Sequence, residues 1–209
     1  MAKRKRKKRN APNISADSWQ PAESRDVEQN DVPQGPLQIR LYGDEVLRKK
    51  AFPIQAVTEV ERKLAEDMLV AMYAAPNGIG LAAPQVGVLK RLIVIDVNRT
   101  DPASRPLMLI NPEIESLEGE SIAEEGCLSI PDVTADIKRA EKAVVTALNT
   151  DGEAIRVEGE GFLARALQHE IDHLDGVLFI DHVSGLKRQL LRGKLRKLVK
   201  EQQAGSFHG

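Results

Sequence analysis

Cysteine is almost missing: Cys127 is the only one among 209 residues. A single thiol cannot close an intramolecular disulfide, which excludes a disulfide-stapled secreted scaffold and fits a reducing compartment, the cytoplasm. Long apolar runs are missing too. None approaches the ~20 residues that a membrane-spanning helix needs, so no membrane association is expected. The N-terminus is basic, but no apolar stretch follows it, so it does not read as a secretory signal. Asp17, Glu23, Asp26 and Glu28 argue against an organellar transit peptide. No glycine-rich loop follows a strand and opens a helix, which makes nucleotide binding an unfavoured class. There is no internal repeat.

What is there is unevenly charged. The net charge is −1, yet residues 1–9 carry seven basic residues and no acid. From Leu186 onward come seven more basic residues against Glu201 alone, and the span between holds 16 basic against 30 acidic residues. An acidic body with two basic ends suggests that the ends meet a polyanion; a merely solvated charge run is the bland alternative. Residues 1–36 are rich in Asn, Ser, Gln, Pro and charge, with Trp19 the only large apolar side chain. That composition predicts a disordered polar arm ahead of one folded domain over 37–209.

Local patterns place the elements. Thr58 and Glu61 form a capping box ahead of Val60, Leu64, Met68, Ala71 and Met72, predicting a helix over 59–75 that Asn77-Gly78 ends. Arg91–Asn98 and Leu107–Ile114 read as buried strands around a turn-rich segment. Lys142–Asn149 and Glu153–Glu158 flank Asp151-Gly152, a hairpin signal. Phe162–Leu174 is a helix between Gly161 and Gly176, with apolar positions nearly all round it, so it should be buried. Ser184 opens a last helix over about 184–203, with Leu186, Leu190, Leu191, Leu195, Leu198 and Val199 inward and a basic outer face. The fold class is α+β: mixed or antiparallel short sheets around a central buried metal-binding helix, with a C-terminal helix.

The metal-binding reading comes from Gln168-His169-Glu170-Ile171-Asp172-His173. Two of the four histidines stand four apart, and positions i and i+4 share a helix face, so both imidazoles can point at one ion. Glu170, next to the first, would sit beside that ion without binding it, which suits proton transfer. The third ligand is not given by this motif. Cys127 stands out as the lone thiol, in a shaped Gly- and Pro-flanked loop (Glu124-Glu125-Gly126-Cys127-Leu128-Ser129-Ile130-Pro131), although a lone cysteine is often a small buried hydrophobe. A third segment, Gly78-Ile79-Gly80-Leu81-Ala82-Ala83-Pro84-Gln85, has small residues suited to close backbone approach, and Gln85 offers an uncharged donor to a developing oxyanion.

GIGLAAPQ, EEGCLS and QHEIDH, in that order, closely resemble the three signature motifs of peptide deformylase. With Gly43–Arg48 and the last helix the resemblance spans about 37–200. It implies Cys127, His169 and His173 as ligands of one divalent metal, commonly Fe(II), with Zn, Ni or Co also accepted. It implies Glu170 as the proton carrier, and Gln85 and the Leu128 backbone N–H as oxyanion donors. The reaction implied is hydrolysis of the formyl group from the formylmethionine of nascent peptides. Gly80 and the edge near Gly126 would hold the peptide as an added strand. Arg165 and Phe162, four and seven residues before His169, together with Ala166 and Ile79, would wall the methionine pocket, with the Arg165 stem packed and its charge reaching water. Beyond EGCLSIP the chain has Asp132-Val133-Thr134 where the family often carries Arg or an aromatic. The basic last helix is similar to the family's ribosome-docking helix, which makes the ribosome an expected partner, with the N-terminal arm as a second contact, of what is expected to be a monomer. A nuclear-import role for the arm is the alternative. The competing function is an HExxH zinc metalloprotease, for which His182 is the available downstream ligand.

Overall fold

The computed structural model describes residues 35–205. The predicted arm over 1–36 therefore lies outside the described residues except for Gly35 and Pro36. Among the described residues three α-helices and seven strands make an α+β fold: α1 (Glu59–Ala74), β1 (Gly80–Ala82), β2 (Leu92–Ile95), β3 (Leu107–Glu118), β4 (Ser121–Cys127), β5 (Ile130–Arg139), β6 (Lys142–Leu148), β7 (Ala154–Glu160), α2 (Phe162–Leu174) and α3 (Gly185–Gly205). β1-β2-β3-β6-β7 form one sheet and β4-β5 a second, and every strand pair is antiparallel.

Alternation along β2 explains how the layers assemble. Leu92 and Val94 face one side, where Leu64, Met68 and Met72 of α1 pack on them. Ile93 and Ile95 face the other, where Leu167, Ile171 and Leu174 of α2 pack. A strand buried on both faces reads as an unbroken apolar run, as LIVI does. Helix α2 meets β7 so closely that a Cβ on Gly159 would lie 2.9 Å from Leu167 Cδ1. Helix α2 is thus pressed onto the large sheet, and its buried residues run from Ala164 to Ile171 and include His173 and Leu174.

The α1 capping box forms, with Thr58 Oγ1 accepting from Val60 N and Glu61 Oε2 accepting from Thr58 N at 3.0 Å. Val60, predicted inward, is exposed, and Ala65 takes its place in the buried stripe. Past the helix end, Arg99 donates to the carbonyls of Tyr73, Ala75 and Gly78, ordering the chain that leads into β1. β3 bends at Asn111, whose φ is 51°. Its side chain accepts from Ile54 N and donates to Ile54 O, so the amide replaces ladder partners that the bulge removes.

The β4-β5 hairpin was not anticipated. Ile130, Val133, Ala135 and Ile137 bury one face of β5 against Leu47, Leu178, Phe179, Ile180 and Leu195. Helix α3 covers this cluster with Leu195, and with Leu191 and Leu198 partly buried. Leu186 and Leu190, expected inward, are 72% and 76% exposed. The face set by Lys187, which pairs with Asp136, and by Leu191, Leu195 and Leu198 is the one turned to the body, and residues one position earlier rotate about 100° away from it. Among the described residues no helix is long and apolar enough to cross a membrane.

Candidate metal centre and active site

The hydrophobic packing of α2 aims its remaining face at the hairpin. His169 and His173 lie on that face with ring centroids 5.1 Å apart. Phe179 stacks on His169 from below. Cys127 comes from the second sheet. It is the last residue of β4, not part of a free loop, and a register shift after Glu125 turns it inward before the tight return to Ile130. Cys127 Sγ lies 3.2 Å from His173 Nε2, and one donor atom from each of Cys127, His169 and His173 falls within 4.8 Å of the others. Gln85 Nε2 donates toward Cys127 Sγ at 3.4 Å and to Ser129 Oγ at 3.2 Å, while its Oε1 accepts from Ala82 N.

Behind the histidines lies a buried ion network. His169 Nδ1 is 3.0 Å from Glu125 Oε2. Arg139 reaches the same carboxylate with Nε at 2.9 Å and Nη2 at 3.1 Å, and Arg165 Nη1 does so at 2.6 Å. Arg139 also pairs with Asp172, which accepts from His182. Burial alone would raise the Glu125 pKa, but hydrogen bonds from His169 and Arg139 outweigh it and hold the group at about 2. A permanent carboxylate on Nδ1 leaves Nε2 of His169 as the nitrogen that faces Cys127 and the cavity. Glu125 and Arg139 were given no role in the sequence reading. No local signal marks the pair: Glu125 and Arg139 stand on neighbouring strands, and only their burial together with Arg165 shows that the two cations need a common counter-charge. Arg165 is corrected by the same contacts: its charge does not reach water but is taken up by Glu125, the Ile137 carbonyl and Ser121.

Glu170 is 4% exposed and its Oε2 has no hydrogen-bond partner among the described residues; nor has His173 Nδ1. Burial pushes the Glu170 carboxyl up to about 7. Its Oε1 packs on Gly80, where a Cβ would lie only 2.4 Å away. Burial disfavours a charge on His169, yet Cys127, Glu125 and Glu170 around it overcome this and hold its pKa well above the ordinary value. A site that draws a proton onto a buried imidazole is one whose donors favour a cation. The thiol and two imidazoles are a donor set suited to Fe, Zn, Ni or Co, so the residues fit a divalent metal.

A cavity of about 660 Å³ opens onto this group. Ile79, Gly80 and Gln85 line it from the β1 side, Gly126, Cys127 and Leu128 from β4, and Phe162, Arg165, Ala166, His169 and Glu170 from α2. Every predicted site residue except His173, which sits beneath, reaches this one cavity. His182, the ligand a zincin-like reading would use, is instead bonded to Asp172 and lies outside the Cys-His-His group.

The family model for polypeptide deformylase matches residues 36–189. The chain belongs to the polypeptide deformylase family. The match stops within α3, so most of that helix lies beyond it. Among curated deformylases, that of Thermodesulfovibrio yellowstonii is 54% identical over 160 residues, covering 77% of this chain and 96% of its own. That of Acidobacterium capsulatum is 51% identical over 166 residues, covering 79% and 95%. The crystal structure of a deformylase from Legionella pneumophila aligns with TM-score 0.74 at 46% identity, over 81% of this chain and 98% of that one. A Synechococcus elongatus deformylase solved in complex with actinonin aligns with TM-score 0.71 at 42% identity, over 82% and 90%. The chain is therefore a deformylase-family enzyme, and the metalloprotease alternative is not favoured.

Proposed function

We propose that the protein hydrolyses the formyl group from the N-terminal formylmethionine of nascent polypeptides, releasing formate, with Cys127, His169 and His173 as ligands of one divalent metal. Fe(II) is the ion assigned in the cell, and Zn, Ni or Co would be accepted by the same donors, because availability often decides over affinity. The observation that carries this reading is the meeting of one thiol and two imidazoles within 4.8 Å beside a buried carboxylate. When bound, such an ion acts as a Lewis acid toward water and the formyl carbonyl.

The chain's own groups do the rest. Glu170, with its carboxyl near 7, takes a proton from the attacking water and returns it to the departing amine. Gln85 Nε2 and the Leu128 backbone N–H donate to the carbonyl oxygen as charge gathers on it. Gln85 is pre-aimed by its bond to Ala82 N, and the oxygen would compete with Cys127 and Ser129 for its protons. Among the described residues β1 and β4 each have one edge without a strand partner, which suits an added peptide strand at Gly80 and near Gly126. Ile79, Phe162 and Ala166 wall the methionine pocket, with Arg165 behind it tied to Glu125.

The catalytic domain is assigned to 37–209 and is expected to be a monomer, and its single cysteine fits a reducing compartment such as the cytoplasm. Helix α3 carries Arg188, Arg192, Arg196 and Lys200 along a groove shared with Arg48, where Asp181 is the only acid among the described residues. That groove, with the basic residues of 1–9, is assigned to ribosomal RNA. Pelleting with ribosomes should occur at low salt and weaken steeply as salt rises; salt-insensitive pelleting, or none, overturns it. The enzymatic reading is tested with anaerobically purified, metal-assayed protein on formyl-Met-Ala and on an internally cleavable peptide. Formate release with the internal peptide intact is expected. Cleavage of the internal peptide without formate would sink it. Glu170→Gln should keep its metal and lose turnover.

A further inference from the structure

The cavity continues beyond the ligand group to an outer rim, and the rim is acidic. Val133 and Ala135 of β5 are buried in the core, so Asp132 and Thr134 face outward. Asp132 has a φ of 60°, a left-handed conformation that aspartate tolerates better than most residues, and it stands at the cavity wall. From β4 comes Glu124, whose Oε2 accepts from Thr134 Oγ1 at 3.1 Å, its other oxygen having no partner among the described residues. Pro76, Asn77 and Phe162 also line the cavity and carry no charge.

Apart from Glu170, which belongs to the catalytic group, the other acid and the base on the wall neutralise each other. Arg165, the only Lys or Arg among the described residues that line the cavity, is bound to Glu125, and Glu125 is in turn bound by Arg139. Among the described residues neither Glu124 nor Asp132 has an ion-pair partner. Lys194 approaches from α3, but it donates at 3.2 Å to the Asp132 backbone carbonyl and does not line the cavity.

We propose that Glu124 and Asp132 select formyl peptides with a basic side chain shortly after the methionine. This rests on the deformylase reading and concerns the part of the substrate that reading leaves unassigned. A peptide laid along β4 from the ligand group meets Glu124 three residues from Cys127, about 10 Å at strand spacing, so its third or fourth residue is the one affected. Opposite charges ~6 Å apart in wet surroundings, acting through two carboxylates, should separate lysine from glutamate at that position by roughly tenfold in kcat/KM at low salt. Salt should shrink the ratio, because the rim is open to water.

The test measures formate release by the metal-loaded full chain from formyl-Met-Ala-Ala-Lys, -Ala and -Glu. Lysine should be favoured over glutamate, through KM with kcat nearly level. The Glu124→Gln/Asp132→Asn double variant should bring the ratio close to one. Glu120→Gln removes the same kind of charge from the start of the hairpin, outside the cavity and beside Lys138, and should keep the ratio. Equal rates for the lysine and glutamate peptides overturn the inference. So does a preference that survives the double variant, or one that Glu120→Gln erases equally, since overall charge would then be its source. Failure to release formate from the neutral peptide would instead count against the deformylase reading.

Discussion

Replacing Gly80 with alanine should disable turnover while leaving the fold almost unchanged. Gly80 does not have a positive φ, so its backbone can accept alanine without strain. The conflict is with Glu170: the new Cβ would lie 2.4 Å from Oε1, 2.9 Å from Cδ and 3.1 Å from Cγ. Ordinary contact needs ~3.4 Å, so Oε1 must move by about 1 Å. Glu170 is held on a buried helix beside His169, so this shift moves the carboxylate within the site itself. A misplacement of ~1 Å can cost ~100-fold in rate, or ~2.7 kcal/mol of transition-state stabilisation. Stability should fall by only ~1 kcal/mol, the low end for overpacking, because the atom that gives way ends a flexible side chain beside a cavity. The assay is steady-state formate release, with metal content and thermal unfolding measured on the same samples. Adding Glu170→Gln to Gly80→Ala should cost little more, since both changes disable one group. A kcat within about threefold of the parent would refute the placement of Glu170 as the proton carrier whose position limits the rate.

Glu125→Gln removes the shared counter-charge of Arg139 and Arg165. It should cost ~3–5 kcal/mol in denaturant unfolding and, through His169, ~10–100-fold in metal affinity by chelator competition. Unchanged affinity would remove Glu125 from the support of the site. Burial alone would raise the Asp181 pKa, but its bonds to Arg48 and Leu178 N outweigh this and lower it below 3.8. Its stabilisation should therefore be present at neutral pH and be lost as pH falls below about 4. Asp181→Asn should flatten that acid limb, by ~1 kcal/mol or less because the pair is partly exposed. An unaltered limb would contradict the sign. Stripping the metal with a chelator should abolish formate release and lower the melting temperature, and added Fe(II), Ni or Zn should restore both. A cation present at ~100 times its dissociation constant stabilises by ~2.7 kcal/mol. Full activity without metal would overturn the ligand assignment.

Where a signal was local, the sequence was legible. Phe162–Leu174 was bounded by its glycines and folds over those residues, because thirteen residues with apolar positions nearly all round can only be buried. The hairpin around Asp151-Gly152 and the capped α1 were legible for the same reason. The β4-β5 hairpin was not: its alternation is interrupted by Gly126 and Pro131, and its buried face is defined by distant partners such as Phe179 and Leu195. Leu186 and Leu190 were misplaced because a helix with leucines spread around it does not state which stripe will meet the body. Arg165 was misread because a helical wheel gives a direction but not a partner.

By itself the sequence determined the donors and their nearest geometry. His169 and His173 face one way because an α-helix returns every four residues, and Glu170 must accompany them. Tertiary structure decided that these groups become a site. Cys127 and His173 are 46 residues apart and on different elements, and nothing local brings them together. They meet because α2 is pressed against the large sheet from one side while Arg139 and Arg165 clamp Glu125 of β4 to it from the other. That closure depends on burying charges and apolar faces contributed by distant segments. The order of residues encodes it only through the complete fold.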